Sequence, residues 1–275
     1  MKTAAIVSVC AIAVALVPHG DLRARAHAFD HDYRAYADVL KTYVRWPRVD
    51  YAALKAHRTL LDGVVAEFDS PAARGEPGWS RAQRMAFWIN AYNAFTLRAI
   101  VDRYPIRSGW FTLYPRNSIR QIDGVWTDLK WRAADRTVTL DEIEHGILRP
   151  TFKDARIHFA VNCASTSCPP LAVEPYRPGG LDAQLDEAAR RFLASPEGLQ
   201  VDGDRLRVSS IFKWYGDDFI EQYAPLVPGS RDATERAILG AIVRHGPASA
   251  AAAARTGQPA IGYLAYDWSL NDTSR

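Results

Sequence analysis

Between residues 140 and 171 the chain gathers side-chain types that do covalent and proton-transfer chemistry near neutral pH: Glu144 and His145, then His158, then Cys163 and Cys168. A cysteine nucleophile needs a base or positive group to stabilise its thiolate, and donors to receive an oxyanion. Cys163 or Cys168 with His145 or His158 as base meets the first need. Asn90 and Asn93 offer amides to orient an imidazole, and Asp141, four residues before His145 on one helix face, can do the same. Such a set fits a hydrolase or acyl-transfer enzyme.

The compartment bears on the thiols. Ala4 to Val17 is a largely apolar run after the positive Lys2, and Ala26-His27-Ala28 has the small-x-small pattern of a signal-peptidase site. The run is too short to span a bilayer comfortably. Cys10 sits inside it rather than just after it, which argues against a lipid anchor. Residues 1–28 are therefore expected to be a cleaved leader, and residues 29–275 one exported, periplasmic or secreted, globular domain. Without Lys2, Asp21, Arg23 and Arg25 the chain keeps 31 basic and 30 acidic residues, a net charge of +1. That balance, with no basic block interleaved with aromatics, argues against a nucleic-acid partner and leaves a small molecule or peptide.

Each candidate residue also has a quieter role. Export favours a Cys163–Cys168 disulfide, which would make the chain a non-catalytic binding module with its loop locked. Closing about six residues contributes on the order of 2 kcal/mol in the chain-entropy model. The spacing is wider than that of C-x-x-C redox pairs, and with His145 and His158 it matches no zinc signature, so neither metal nor cofactor is assigned. His145 and His158 can be satisfied structural groups, and Asn90 and Asn93 can knit a buried helix to neighbouring backbone. Glu144 lies on an apolar stripe and needs a partner there, for which Arg98 and Arg156 are candidates.

The positioning elements follow from periodicity. Helices are expected over 32–45, 51–68, 80–103 and 181–193, and from Thr139 to Pro150. The third opens on a Ser80-x-x-Gln83 capping box and is apolar nearly all round, the mark of a buried helix. A second capping box, Thr139-x-x-Glu142, opens the helix carrying Glu144 and His145. Asp123-Gly124 signals a turn or hairpin, and short strands are expected at 137–140, 206–208 and 262–268. Arg156 to Cys163 alternates like a strand, which would place His158 and Cys163 on opposite faces unless a bulge intervenes. The Ala-rich stretch 247–257 reads as loose. Runs of helices with few short strands give α+β: a short mixed sheet packed with helices around one buried central helix.

Six motifs in order carry a resemblance: Val49-Asp-Tyr-Ala-Ala-Leu54, Phe87-Trp-Ile-Asn-Ala-Tyr-Asn93, Leu140-Asp-Glu-Ile-Glu-His-Gly-Ile-Leu-Arg149, the run from His158 to Leu171, Ile211-Phe-Lys-Trp-Tyr215, and Tyr266-Asp-Trp-Ser-Leu-Asn271. Together they resemble the domain-of-unknown-function 547 family over most of the chain after residue 28. The resemblance implies no reaction, since the family is named for having none assigned.

Overall fold

The computed structural model describes residues 28–107 and 113–274. The expected leader, residues 1–28, lies outside them apart from Ala28. Helix α1 (Arg34–Tyr43) buries Tyr36, Val39, Leu40 and Tyr43 at helical spacing. A ribbon of β1 (Val44–Arg45) and β2 (Arg48–Val49) leads to α2 (Tyr51–Ala56), where Asp50 caps the helix by accepting the Ala53 N–H. The single helix expected over 51–68 is two, because the chain leaves helical geometry at His57 before α3 (Thr59–Glu67). Leu54 and Leu61 both still reach the core, so the apolar period hides the break.

Helix α4 (Arg81–Arg103) is the buried central helix. Both hydrogen bonds of the Ser80/Gln83 capping box form, and from Met85 to Val101 Arg98 alone is not buried. Ser/Gln reciprocity satisfies two of the four orphan N–H groups at a helix start, and this one starts beside a packed core. A hairpin of β3 (Trp131–Ala133) and β4 (Arg136–Val138) follows. Asp123-Gly124 makes a turn, with Gly124 left-handed and its carbonyl accepting from Asp128 and Leu129, but no hairpin.

Thr139 and Glu142 form the second capping box. The helix they open is a π-helix over Glu142–Leu148 that runs into α5 (Arg149–Phe152). Pro150 does not stop it, since it falls in the first turn of α5, where its missing N–H would be an orphan anyway. π-Helical turns are rare and often sit at functional sites.

The segment expected as a strand, 156–163, is instead one helical turn, α6 (Ile157–Ala160), after which Val161 extends. Every residue from Ile157 to Asn162 is buried. Alternation had no solvent face to define it, so the strand reading had no physical anchor there. Helix α7 (Leu181–Leu193) has the expected bounds. A mixed sheet then forms from β5 (Leu199–Asp202), β6 (Arg205–Val208) and β7 (Ala260–Tyr263), with β5–β6 antiparallel and β6–β7 parallel. The last strand lies earlier than 262–268, and the chain from Leu264 onward is used differently.

Between β6 and β7 come α8 (Ile211–Tyr215), α9 (Ile220–Tyr223), α10 (Ala233–His245) and α11 (Ala248–Arg255). The stretch read as loose is α11: alanine has the highest helix propensity, and Ala250, Ala251 and Ala254 pack inward. The buried apolar residues form two clusters, one around α4 and one around α10. The protein is thus α+β. No described helix is long and apolar enough to cross a membrane.

Gly240 sets how closely α10 approaches α9. A Cβ there would stand 2.0 Å from the Tyr223 carbonyl oxygen, a backbone atom that cannot swing aside. Gly240→Ala is expected to destabilise the fold by about 2–3 kcal/mol through this overpacking, read as a lower urea midpoint. Gly63→Ala, where a Cβ meets nothing within 4 Å, is the control and should be neutral or stabilising.

Candidate functional site

A cleft of about 560 Å³ opens where the His145 π-helix, the Cys163 loop, α8 and the C-terminal segment meet. His145, His158, Glu144, Cys163 and Cys168 all line it. Because α6 replaces the expected strand, His158 and Cys163 face one cleft without a bulge.

The cysteine loop is held from both sides. Asn93, buried on α4, donates through Nδ2 to the Ala160 carbonyl at 2.9 Å and accepts the Asn162 N–H at 2.8 Å. Asn162 donates in turn to the Pro169 carbonyl and accepts the Ala164 N–H. Ala164 is left-handed at φ 58°, a conformation costing about 1 kcal/mol for a residue with a Cβ. Its carbonyl is fixed by the Asn271 N–H. Asn93 therefore does not line the cleft but positions the segment that presents Cys163. Asn90 does similar work on Tyr176, exchanging hydrogen bonds of 2.8 and 3.0 Å with its backbone.

The C-terminal segment closes the other side. It bonds along the cysteine loop, with Thr166 N–H donating to the Ser269 carbonyl and Ser167 N–H to the Asp267 carbonyl. This delivers Tyr266 and Trp268 into the cleft.

Cys163 and Cys168 are both free thiols in the structure, where the expected disulfide is not seen. The two thiols hydrogen-bond to each other, and each has further partners. Cys168 Sγ accepts the Cys163 backbone N–H at 2.9 Å, while Cys163 Sγ lies 3.2 Å from both the Ser165 and Tyr266 hydroxyls. Those hydroxyls are 2.9 Å from each other. The Cys163 thiol is pulled down to about 7 by a hydrogen bond from the Cys168 thiol, helped by Ser165 and Tyr266 against the cost of burial. Burial pushes the Cys168 thiol up, and its hydrogen bond to Cys163 adds to that. Of the two thiols, Cys163 is the more acidic.

Neither imidazole hydrogen-bonds to a sulfur among the described residues. His158 is buried, stacks on Tyr215 at 4.2 Å, and bonds Asp218 through Nε2 at 2.7 Å. Arg149 grips the same carboxylate with bonds of 2.6 and 3.0 Å. Burial alone would raise the Asp218 carboxyl, but the hydrogen bonds from His158 and Arg149 outweigh it and hold it well below the usual carboxylate range. An ionised Asp218 can only accept, so His158 Nε2 carries a proton. His145 is more exposed, with Nε2 at 3.6 Å from Asp141 and Nδ1 at 2.6 Å from Arg149.

Glu144 does not pair with Arg98, which binds Asp62 and Asp102, or with Arg156, which binds Asp154, Asp182 and Asp186. Its partner is the Tyr215 hydroxyl. Burial raises that phenol, and the neighbouring Glu144 charge raises it further. Tyr215 thus stays protonated at neutral pH, with Glu144 as its acceptor. Trp214 lines the cleft, half-exposed, beside an exposed Lys213.

Asp218, Arg149, Tyr215 and Tyr266 are functional candidates that the linear reading did not single out. Three of the four lie in the quoted motifs, so the signal was present but had no chemical role attached. Asp218 follows the Ile211–Tyr215 motif by one turn and became legible only through its contacts.

Because the Asp218 carboxyl is depressed, its contribution to stability is full above the unfolded carboxylate range and is lost as pH falls through the folded value. Asp218→Asn is expected to cost about 1–3 kcal/mol at pH 7 and progressively less below about pH 4. Urea unfolding of both forms at pH 7 and pH 3 reads this. An equal loss at both would mean that shape rather than charge sustains the cluster.

The fold and site together define an α+β protein with an aromatic cleft, a low-pKa thiol and a His–Asp–Arg cluster. Residues 77–193 match the family model described as "Protein of unknown function, DUF547". The matched span holds α4, the π-helix, α6 and both cysteines. No curated protein and no solved structure matches the chain. Among the described residues no group of three or more His, Cys, Asp or Glu is arranged to hold a metal ion.

Proposed function

We propose that the chain is a thiol-dependent hydrolase or acyl-transfer enzyme acting on a small molecule or peptide, with Cys163 as nucleophile. The observation that carries this is the Cys163 sulfur on the wall of an aromatic cleft, with Cys168, Ser165 and Tyr266 as hydrogen-bonding neighbours that draw its thiol toward ionisation. A thiolate is the reactive form, and a thiol titrating close to ambient pH is near the optimum between ionised fraction and nucleophilicity.

In the reaction, the Cys163 thiolate attacks a carbonyl carbon, and the new C–S bond forms as the carbonyl π pair moves onto oxygen. Collapse breaks the bond to the leaving group, which takes a proton from an acid in the cleft. Water or another acceptor then attacks the thioester, and the C–S bond breaks to return the thiolate. The candidates for acid and base are His145 and the Tyr215–Glu144 pair, all lining the same space. His158, buried and committed to Asp218, holds Tyr215 in place by stacking and is read as a positioning residue.

The apolar run 4–17 and the small-x-small site at 26–28 support export of this activity. Incubation with p-nitrophenyl acetate is the direct test. An acetyl group found by peptide mass spectrometry on Cys163, and absent from the Cys163→Ser protein, supports the reading. Ligand binding in the cleft without any acyl adduct from a panel of esters and thioesters would favour a module that only binds.

A further inference from the structure

The cleft holds a second charged feature that acyl transfer does not use. Arg120 lines it, and its guanidinium lies 4.4 Å from the Tyr114 ring centre, 4.8 Å from that of Trp268 and 5.5 Å from that of Trp126. Its one side-chain hydrogen bond goes to the Tyr114 hydroxyl, and no carboxylate pairs with it among the described residues. A guanidinium has five N–H donors in a rigid fork, so most of them remain available toward the cleft. Three flanking π-faces fix its direction through cation–π attraction. The other arginines with carboxylates nearby behave differently: Arg149 and Arg156 are saturated by Asp218 and by Asp154, Asp182 and Asp186.

The route from Arg120 to the sulfur is a continuous aromatic wall. Trp268 packs on Tyr266 at 4.5 Å and on Trp214 at 5.8 Å, and the Tyr266 hydroxyl touches Cys163 Sγ at 3.2 Å. Two ring widths therefore separate a nucleophile from a lone, oriented cation. A single fork matches a single carboxylate in charge and bidentate geometry, whereas phosphate sites draw on several cations or backbone N–H groups.

We propose that Arg120 anchors a carboxylate on the substrate, so that the protein acts on an acyl compound with an anionic end, a flat or ring-sized apolar middle laid on Trp268 and Tyr266, and the reacting carbonyl at Cys163. This rests on the thiol-enzyme reading for the carbonyl end, while the carboxylate end stands on Arg120 alone.

Equilibrium titration calorimetry with two unreactive probes tests the anchor independently of any reaction: 4-acetamidobenzoate, and its neutral parent acetanilide. Wild type is expected to bind the acid about tenfold or more tightly than the parent, with a preference that shrinks as salt rises. Arg120→Gln should bind both equally, and Arg120→Lys should keep part of the preference. Cys163→Ser should keep the preference for the acid over its parent, so failure of the nucleophile assignment does not mimic failure of the anchor. Equal binding of acid and parent by wild type, a preference that survives Arg120→Gln, or no binding of either probe at millimolar concentration would each overturn the proposal.

Discussion

Replacing Cys163 with serine is expected to lower turnover of an ester or thioester substrate by about three orders of magnitude or more, with the fold intact. Serine fills nearly the same space, but a hydroxyl with no hydrogen-bonded imidazole is not ionised at neutral pH. The cleft offers that oxygen only Ser165, Tyr266 and Cys168, which are donors of hydrogen bonds rather than bases. Cys168→Ala gives the complementary result. The hydrogen bond from Cys168 is the largest influence lowering the Cys163 thiol, so its loss should move Cys163 up toward the ordinary thiol range. The thiolate fraction at pH 7 then falls roughly tenfold, and so should the neutral-pH rate, with recovery at higher pH. If Cys168→Ala instead abolished turnover at every pH while Cys163→Ser did not, the two roles would be reversed.

The second large effect is structural and reaches the site through one side chain. Asn93→Ala is expected to destabilise the protein by about 2–4 kcal/mol, because it strands the Ala160 carbonyl and the Asn162 N–H without partners in a buried place. Asn93→Asp keeps the acceptor for the Asn162 N–H but loses the donor to Ala160, and buries a carboxylate as well, so it should be no better than alanine near neutral pH. Urea unfolding gives the magnitude. Alkylation of Cys163 in the Asn93→Ala protein supplies the second readout. If Asn93 positions the cysteine segment, the thiol's pH profile should shift. A large loss of stability with an unchanged thiol profile would restrict Asn93 to the core.

How far the sequence discloses this arrangement depends on what each signal measures. The Ser80/Gln83 and Thr139/Glu142 boxes are local chemistry between residues three apart, and both form as read. The apolar circumference of α4 likewise announces its burial, and with it the need of Asn90 and Asn93 for partners. What the partners are is non-local: Tyr176 and Ala160 lie more than sixty residues downstream. The segment 156–163 defeats periodicity because Ile157 to Asn162 are all buried, so no solvent face separates strand from helix. Glu144 declares that it needs a partner but not that the partner is a phenol on α8. The thiols show the limit most clearly. Compartment and spacing argue for a disulfide, whereas the structure shows two free thiols with Ser165 and Tyr266 placed around Cys163. Tyr266 comes from a segment a hundred residues away, held there by Asp267 and Ser269 backbone bonds that no pattern in the chain advertises.

The claim on which the account turns is that Cys163 is a reactive thiolate near neutral pH. The most direct measurement is the pH dependence of iodoacetamide alkylation, followed by intact mass and peptide mapping on protein never exposed to reductant. One rapid label is expected, on Cys163, with its rate rising through a midpoint near pH 7 and Cys168 unlabelled over the same interval. Absence of any label until a reductant is added, or a midpoint in the ordinary thiol range above about pH 8, would contradict it.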